Sequence, residues 1–130
     1  VVKKRVENTM LKQQGYNLMA AAFEVYNELG FGLLEEIYQQ ALELELKIRS
    51  IPFDSKRKLN VYYKQNKLEK VYVPDLFVYS GIIAELKAVK ELNAEHRAQL
   101  MNYMKITNIK VGYLINFGQS ERLDWERYII

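Results

Sequence analysis

Cysteine is absent from the 130 residues and histidine occurs once. The first absence excludes a disulfide framework, thiolate metal sites and a cysteine nucleophile; the second excludes a poly-histidine metal site within the chain. Any metal is then held mainly by oxygen, which favours Mg²⁺, Mn²⁺ or Ca²⁺ over Zn²⁺. Proline and glycine are also scarce, at two and six residues against ten tyrosines and five phenylalanines, a balance that suits a well-packed α/β or α+β unit. The longest apolar run, Leu18–Phe23, is far short of the roughly 20 residues that a membrane span needs. No signal-peptide pattern is visible, and a cytoplasmic protein without membrane contact is the simplest expectation. With 49% hydrophobic and 27% charged residues the composition is that of a folded domain, and residues 1–130 are expected to form one.

The formal net charge is only +3, but its distribution is uneven. Six positive residues (Lys56, Arg57, Lys58, Lys64, Lys67, Lys70) and two negative ones (Asp54, Glu69) lie between positions 54 and 70, while the rest of the chain carries 13 positives and 14 negatives. Such a patch suits a polyanion, with Tyr62, Tyr63 and Tyr72 interleaved as base or sugar contacts. The plainer reading is a solvated edge hairpin whose lysines block edge-to-edge pairing.

The first ten residues are charged and weakly periodic. From about Gln13 to Leu29, Met19, Ala22, Phe23, Tyr26 and Leu29 recur at helical spacing, and Gly30 is placed to end that helix. A second helix is expected over about Leu33–Arg49, with Leu33, Ile37, Ala41, Leu44 and Ile48 as its apolar stripe and Ser50–Pro52 as its stop. The period then changes to that of strands. Phe53–Gln65, Leu68–Tyr79 and Ile82–Val89 are expected to pair as a meander, with turns at Gln65–Lys67 and Ser80–Gly81. Asn93 is a good N-cap for a helix over Ala94–Thr107, with Asn108 as its stop. Two more strands, Lys110–Phe117 and Leu123–Ile130, complete an α-α-β-β-β-α-β-β order and an α+β fold.

The third strand is the informative one. Residues two apart on a strand share a face, so Glu85 and Lys87 project together between Ile83 and Val89. Charges among apolar neighbours need a reason, because burying an unpaired charge is costly. A structural Glu–Lys pair or a solvent-facing surface is one reason, and catalysis is another. The acid-x-Lys pattern is not rare, since Glu45–Lys47 and Asp54–Lys56 match it as well. Context strengthens the catalytic reading. If the second and third strands pair, Asp75 in VPDLF approaches Glu85, and two carboxylates make a hard-oxygen pair suited to Mg²⁺. Lys87 beside them is placed to orient a water or to offset charge on phosphate. Two helical patterns complete the candidates. Glu35 and Tyr38 share a face near the start of the second helix, and His96, Gln99 and Tyr103 share a face of the third.

Together these residues resemble a known family. Gly32-x-x-Glu35-x-x-Tyr38 resembles the motif that names the GxxExxY protein family, which is placed in the PD-(D/E)XK nuclease superfamily. Pro74-Asp75 followed by Glu85-Leu86-Lys87 spells that superfamily's signature, and Gln99-x-x-x-Tyr103 resembles the QxxxY element of RecB-type nucleases. One departure is Phe31, where relatives often carry proline before the glycine. The resemblance implies a restriction-endonuclease-like αβββαβ core, a mixed central sheet flanked by helices, with an extra N-terminal helix. It implies Mg²⁺, with Mn²⁺ as a substitute, held by Asp75, Glu85 and the Leu86 carbonyl, with Lys87 assisting the attacking water. It makes Glu35 a supporting acid and places Gln99 and Tyr103 near the substrate backbone, with His96 and Tyr38 as further contacts. Lys64, Lys67 and Lys70 would then track phosphates. The leading expectation is a nuclease acting on nucleic acid, DNA ahead of RNA. The alternative is a nucleic-acid-binding module on the same fold with little or no cleavage. A protein-interaction domain using the tyrosine-rich surface is a third reading that leaves the acid–acid–lysine set unexplained. The final strand also offers an edge through which a homodimer could form.

Overall fold

The computed structural model describes residues 10–130, so the charged, weakly periodic first ten residues fall, apart from Met10, outside the described residues. Helices α1 (Lys12–Leu29) and α2 (Glu35–Ile48) come first. Strands β1 (Phe53–Ser55), β2 (Leu59–Tyr63), β3 (Asn66–Tyr72), β4 (Leu76–Val78) and β5 (Ile82–Lys87) follow. Helix α3 (Ala94–Thr107) then leads into β6 (Val111–Asn116) and β7 (Asp124–Ile129). The main sheet has the order β1-β4-β5-β6-β7, and β2-β3 form a separate two-stranded arm. All pairings in the main sheet are antiparallel except β5 with β6, which α3 links in parallel. The result is the mixed, helix-flanked sheet of a restriction-endonuclease-like fold.

The expected meander is present in outline, but its first two strands each break in two. Lys56 adopts a left-handed backbone (φ 54°), which ends β1. Proline lacks the N–H that a ladder needs, so Pro74 separates β3 from β4. The hairpin turn is also one step earlier than the sequence suggests. Lys64 and Gln65, both at positive φ, form a two-residue loop between the paired Tyr63 and Asn66, the geometry that matches strand twist.

Two cores lie on opposite faces of the main sheet. On one, Leu18, Ala22 and Val25 of α1 and Tyr38, Leu42 and Leu46 of α2 pack on Leu76, Ala84, Leu86 and Ile115. On the other, Leu100 and Met104 of α3 pack on Ile83 and Leu114, joined by Tyr72 from the arm. Helix α3 approaches closely because residue 112 is glycine; a Cβ there would stand 2.5 Å from the Met104 sulfur. Its N-terminus is fastened by a reciprocal cap between Asn93 and His96, and Asn108 closes it in the left-handed conformation.

Helix α2 buries a different face from the expected one. Leu33, Ile37, Leu44 and Ile48 are exposed, and the buried positions are Tyr38, Gln39, Leu42 and Leu46. Two apolar stripes run along this helix, and tertiary contacts choose between them. Tyr38 stacks on Phe117 at 4.6 Å and donates its hydroxyl to the Gly30 carbonyl at 2.5 Å. An aromatic pair of this kind adds about 1 kcal/mol beyond its buried area. In α1 the expected Met19 and Ala22 are buried, whereas Phe23 and Leu29 remain partly exposed.

Candidate active site

The site is built where β4 and β5 begin to diverge. Leu76 pairs with Ala84, so Asp75, one step before β4, stands across from Glu85. Strand alternation turns Leu86 into the helix-covered core, while Glu85 and Lys87 face the α3 side with Ile83. Asp75 is tied down through both carboxylate oxygens. Its Oδ2 accepts the Leu86 N–H at 2.8 Å, and its Oδ1 lies 2.6 Å from the Lys56 ammonium. Its backbone carbonyl accepts from the Gln39 side chain at 3.0 Å, which seats α2 against this corner. Glu85 accepts a short hydrogen bond from the Tyr72 hydroxyl, and the Tyr72 ring stacks on Tyr103 at 3.7 Å.

A cleft of about 310 Å³ opens over these groups, lined by Glu35, Asp75, Glu85, Lys87, Gln99 and Tyr103, with Lys70 and Tyr72 at its wall. Gln99 donates to the Tyr103 hydroxyl at 3.2 Å. Burial and, next, the charge of Asp75 push Glu85 up to about 8, against the opposing pull of Tyr72 and Lys87. Glu35 is raised in the same direction by desolvation and then by Asp75. Burial disfavours the Lys56 ammonium, but its hydrogen bond to Asp75 and that acid's charge outweigh this and hold it above its ordinary value.

Three acids converge here, and burial first, then the charge of Asp75, disfavours the ionised form of Glu85. A hard divalent cation fits such a donor set. Asp75 and Glu85 offer carboxylates, and the Leu86 carbonyl leaves its strand on the same edge as the N–H that reaches Asp75. Among the described residues no group of three or more His, Asp or Glu side chains is arranged to hold a metal. Carbonyl, water and phosphate oxygens are left to complete a shell, as Mg²⁺ prefers.

Other expected contacts lie elsewhere. Tyr38 is fully buried and serves the core, so it does not line the cleft. The His96 Nδ1 accepts the Asn93 N–H at 3.2 Å, a capping duty. Lys64 and Lys67 lie at the far end of the arm and do not line the cleft. Conversely, Lys56, Tyr72, Gln39 and Asn116 support the site without a local signal for that role. Asn116, wholly buried, holds the chain just beyond Lys87: its side chain accepts the Val89 N–H at 2.9 Å and donates to the Val89 carbonyl at 2.8 Å. A roomier cavity of about 510 Å³ lies between α1 and β6–β7, but it is lined by Tyr16, Phe23, Tyr113 and Trp125 and holds no carboxylate pair.

An acid pair and a lysine on adjacent strands of this fold define a class. The chain belongs to the PD-(D/E)XK nuclease superfamily, whose profile matches residues 12–128. Members of the superfamily generally hydrolyse phosphodiester bonds and typically use divalent metals. A solved structure, "Crystal structure of SSO0001", is similar at a TM-score of 0.56 and 16% identity, over 73% of this chain and 50% of that one. That likeness concerns the fold, and the match spans half the length of the solved chain. No curated protein matches the sequence. No helix among the described residues is long and apolar enough to cross a membrane.

Proposed function

We propose that this protein is a nuclease that hydrolyses phosphodiester bonds of nucleic acid, DNA ahead of RNA, with Mg²⁺ or Mn²⁺ held by Asp75, Glu85 and the Leu86 carbonyl. The run Gly32-x-x-Glu35-x-x-Tyr38 supports placement within the GxxExxY family. The observation that carries the functional reading is the convergence of Asp75, Glu85 and Lys87 on one cleft. A bound divalent ion supplies Lewis-acid polarisation of a phosphoryl oxygen and a more acidic water. The chain's own groups do the rest. Lys87 orients the attacking water and offsets the negative charge that develops on the phosphoryl oxygens. Glu35, a further acid lining the cleft, would support the metal site and accept a proton, a role that its raised pKa suits. Gln99 and Tyr103 contact the substrate backbone from α3, and Lys70 neutralises a neighbouring phosphate at the cleft wall.

Lys64 and Lys67 extend this path along the arm, beside the exposed Tyr62 and Tyr63. That solvated arm also supports a second reading, a nucleic-acid-binding module with little or no cleavage. Strand β7 ends the main sheet, and its outer edge is where a homodimer would pair. The test is cleavage of single-stranded, duplex and branched DNA and of RNA with Mg²⁺ or Mn²⁺, beside Asp75→Ala, Glu85→Ala and Lys87→Ala. Metal-dependent cleavage lost in all three variants supports the nuclease reading. Activity that survives the substitutions or chelation contradicts it, and binding without cleavage on every substrate favours the second.

A further inference from the structure

Lys56 is the cation that this catalytic scheme leaves unused, yet both its backbone and its side chain are committed to one acid. Its N–H donates to the Asp75 carbonyl at 3.2 Å, and its ammonium lies 2.6 Å from Asp75 Oδ1. The other oxygen, Oδ2, is spoken for by the Leu86 N–H. An ion that ligates Asp75 through Oδ1 meets the lysine there. The antiparallel register, with Ser55 opposite Leu76, places Lys56 across from Asp75, and its backbone there is left-handed (φ 54°), an unusual conformation for a residue with a Cβ. On the neighbouring acid, Tyr72 holds Glu85. Lys56 and Tyr72 flank the β2–β3 arm in sequence, so the two roots of the arm each hold one of the two carboxylates.

We propose that Lys56 is a resident surrogate cation for the divalent site. It pairs with Asp75 while no ion is bound, keeps that carboxylate beside Glu85, and yields Oδ1 when an ion enters. The inference rests on reading Asp75 and Glu85 as the divalent site. The Asp75 carboxylate is largely buried beside a second acid, and a desolvated carboxylate needs a positive partner before an ion arrives. Exposure decides which partner moves. The Lys56 side chain is 50% exposed and that of Asp75 only 13%, so the ammonium exchanges Asp75 for water at small cost while the acid stays in place. A guanidinium would grip the carboxylate harder and give way less readily.

The test is Mn²⁺ titration of the DNA-free protein by calorimetry. Lys56→Gln removes the competitor, and Mn²⁺ binding is expected to tighten about fivefold, the upper range for a partly exposed ion pair. In EDTA the same variant melts at a lower temperature than wild type, and the rise in Tm on adding Mn²⁺ is larger than wild type's. Lys56→Arg keeps the charge and binds Mn²⁺ no more tightly than wild type. Unchanged or weaker Mn²⁺ affinity in Lys56→Gln, or tighter affinity in Lys56→Arg, overturns the proposal. Asp75→Asn separates this from failure of the underlying reading. If it abolishes Mn²⁺ binding while Lys56→Gln leaves affinity unchanged, the site stands and the surrogate role falls. If Asp75→Asn binds Mn²⁺ as wild type does, the site itself is misplaced.

Discussion

On the β2–β3 arm, Lys64, Lys67 and Lys70 stand exposed with no acid partner among the described residues. A few residues further along the chain, Asp75 and Glu85 are drawn into the main sheet, and each carboxylate is held by a donor. The arm's charges stay in water, so they cost the fold little and add little to its stability. The dyad is desolvated and crowded: Asp75 faces Lys56 and the Leu86 N–H, while Glu85, held by Tyr72, is pushed toward its neutral form. The contrast teaches a division of labour. Attraction at a distance tolerates a flexible, solvated surface, whereas chemistry needs groups fixed on strands whose own positions are locked.

The sharpest way to break this comparison is to disable the dyad alone. Asp75→Asn or Glu85→Gln is expected to lower the single-turnover cleavage rate by about 10³-fold or more, with nucleic-acid affinity kept or slightly improved by loss of a repelling charge. A comparable loss of affinity would show that the two regions are not separable. Next in size is the support beneath the dyad. Asn116→Ala leaves the Val89 N–H and carbonyl without their side-chain partner, and a loss of about 2–3 kcal/mol is expected in urea unfolding. A loss below about 0.5 kcal/mol, the scale of an ordinary surface change, would remove Asn116 from the account.

A pH series sharpens the same contrast. Glu85 is held up to about 8 in the folded protein, by burial first and then by the charge of Asp75, against an ordinary value of 4.5. Between those values the native state keeps a proton that the unfolded state has released. Its contribution to stability is therefore full below about pH 4.5 and lost as pH rises through about 8. Metal-free protein is expected to lose stability across that window, and Glu85→Gln to flatten the decline. Mn²⁺ affinity is expected to rise over the same range, because the ion must displace the proton. The smallest effect belongs to the arm. Lys64, Lys67 and Lys70 changed together to Gln are expected to flatten the slope of log affinity against log salt by roughly two to three units, with the melting temperature nearly unchanged. An unchanged slope would return the arm to a lysine-guarded edge.

The dyad was legible in the sequence because its geometry is local. A period of two puts Glu85 and Lys87 on one face whatever surrounds the strand, and a hairpin brings Asp75 across from Glu85. The α3 boundaries were legible for the same reason, since Asn93 and Asn108 act on their own neighbours. Helix α2 was not, because its two apolar stripes differ only in what lies opposite them, and Phe117 is 79 positions away from Tyr38 in sequence. Lys56 looked like one more lysine of a basic run. Only the β1–β4 pairing, with Ser55 opposite Leu76, brings it to Asp75. Tyr72 likewise reads as an arm residue, and its hold on Glu85 exists only once the arm folds over the α3 face.

The account stands most directly on where a metal binds. Crystals soaked in Mn²⁺, with data collected near the manganese edge, will locate the ion by its anomalous scattering. The account predicts a peak within about 2.0–2.6 Å of a carboxylate oxygen from each of Asp75 and Glu85, with the Lys56 ammonium no longer on Asp75 Oδ1. A manganese peak elsewhere, or none between these two acids at concentrations that support cleavage, would contradict it.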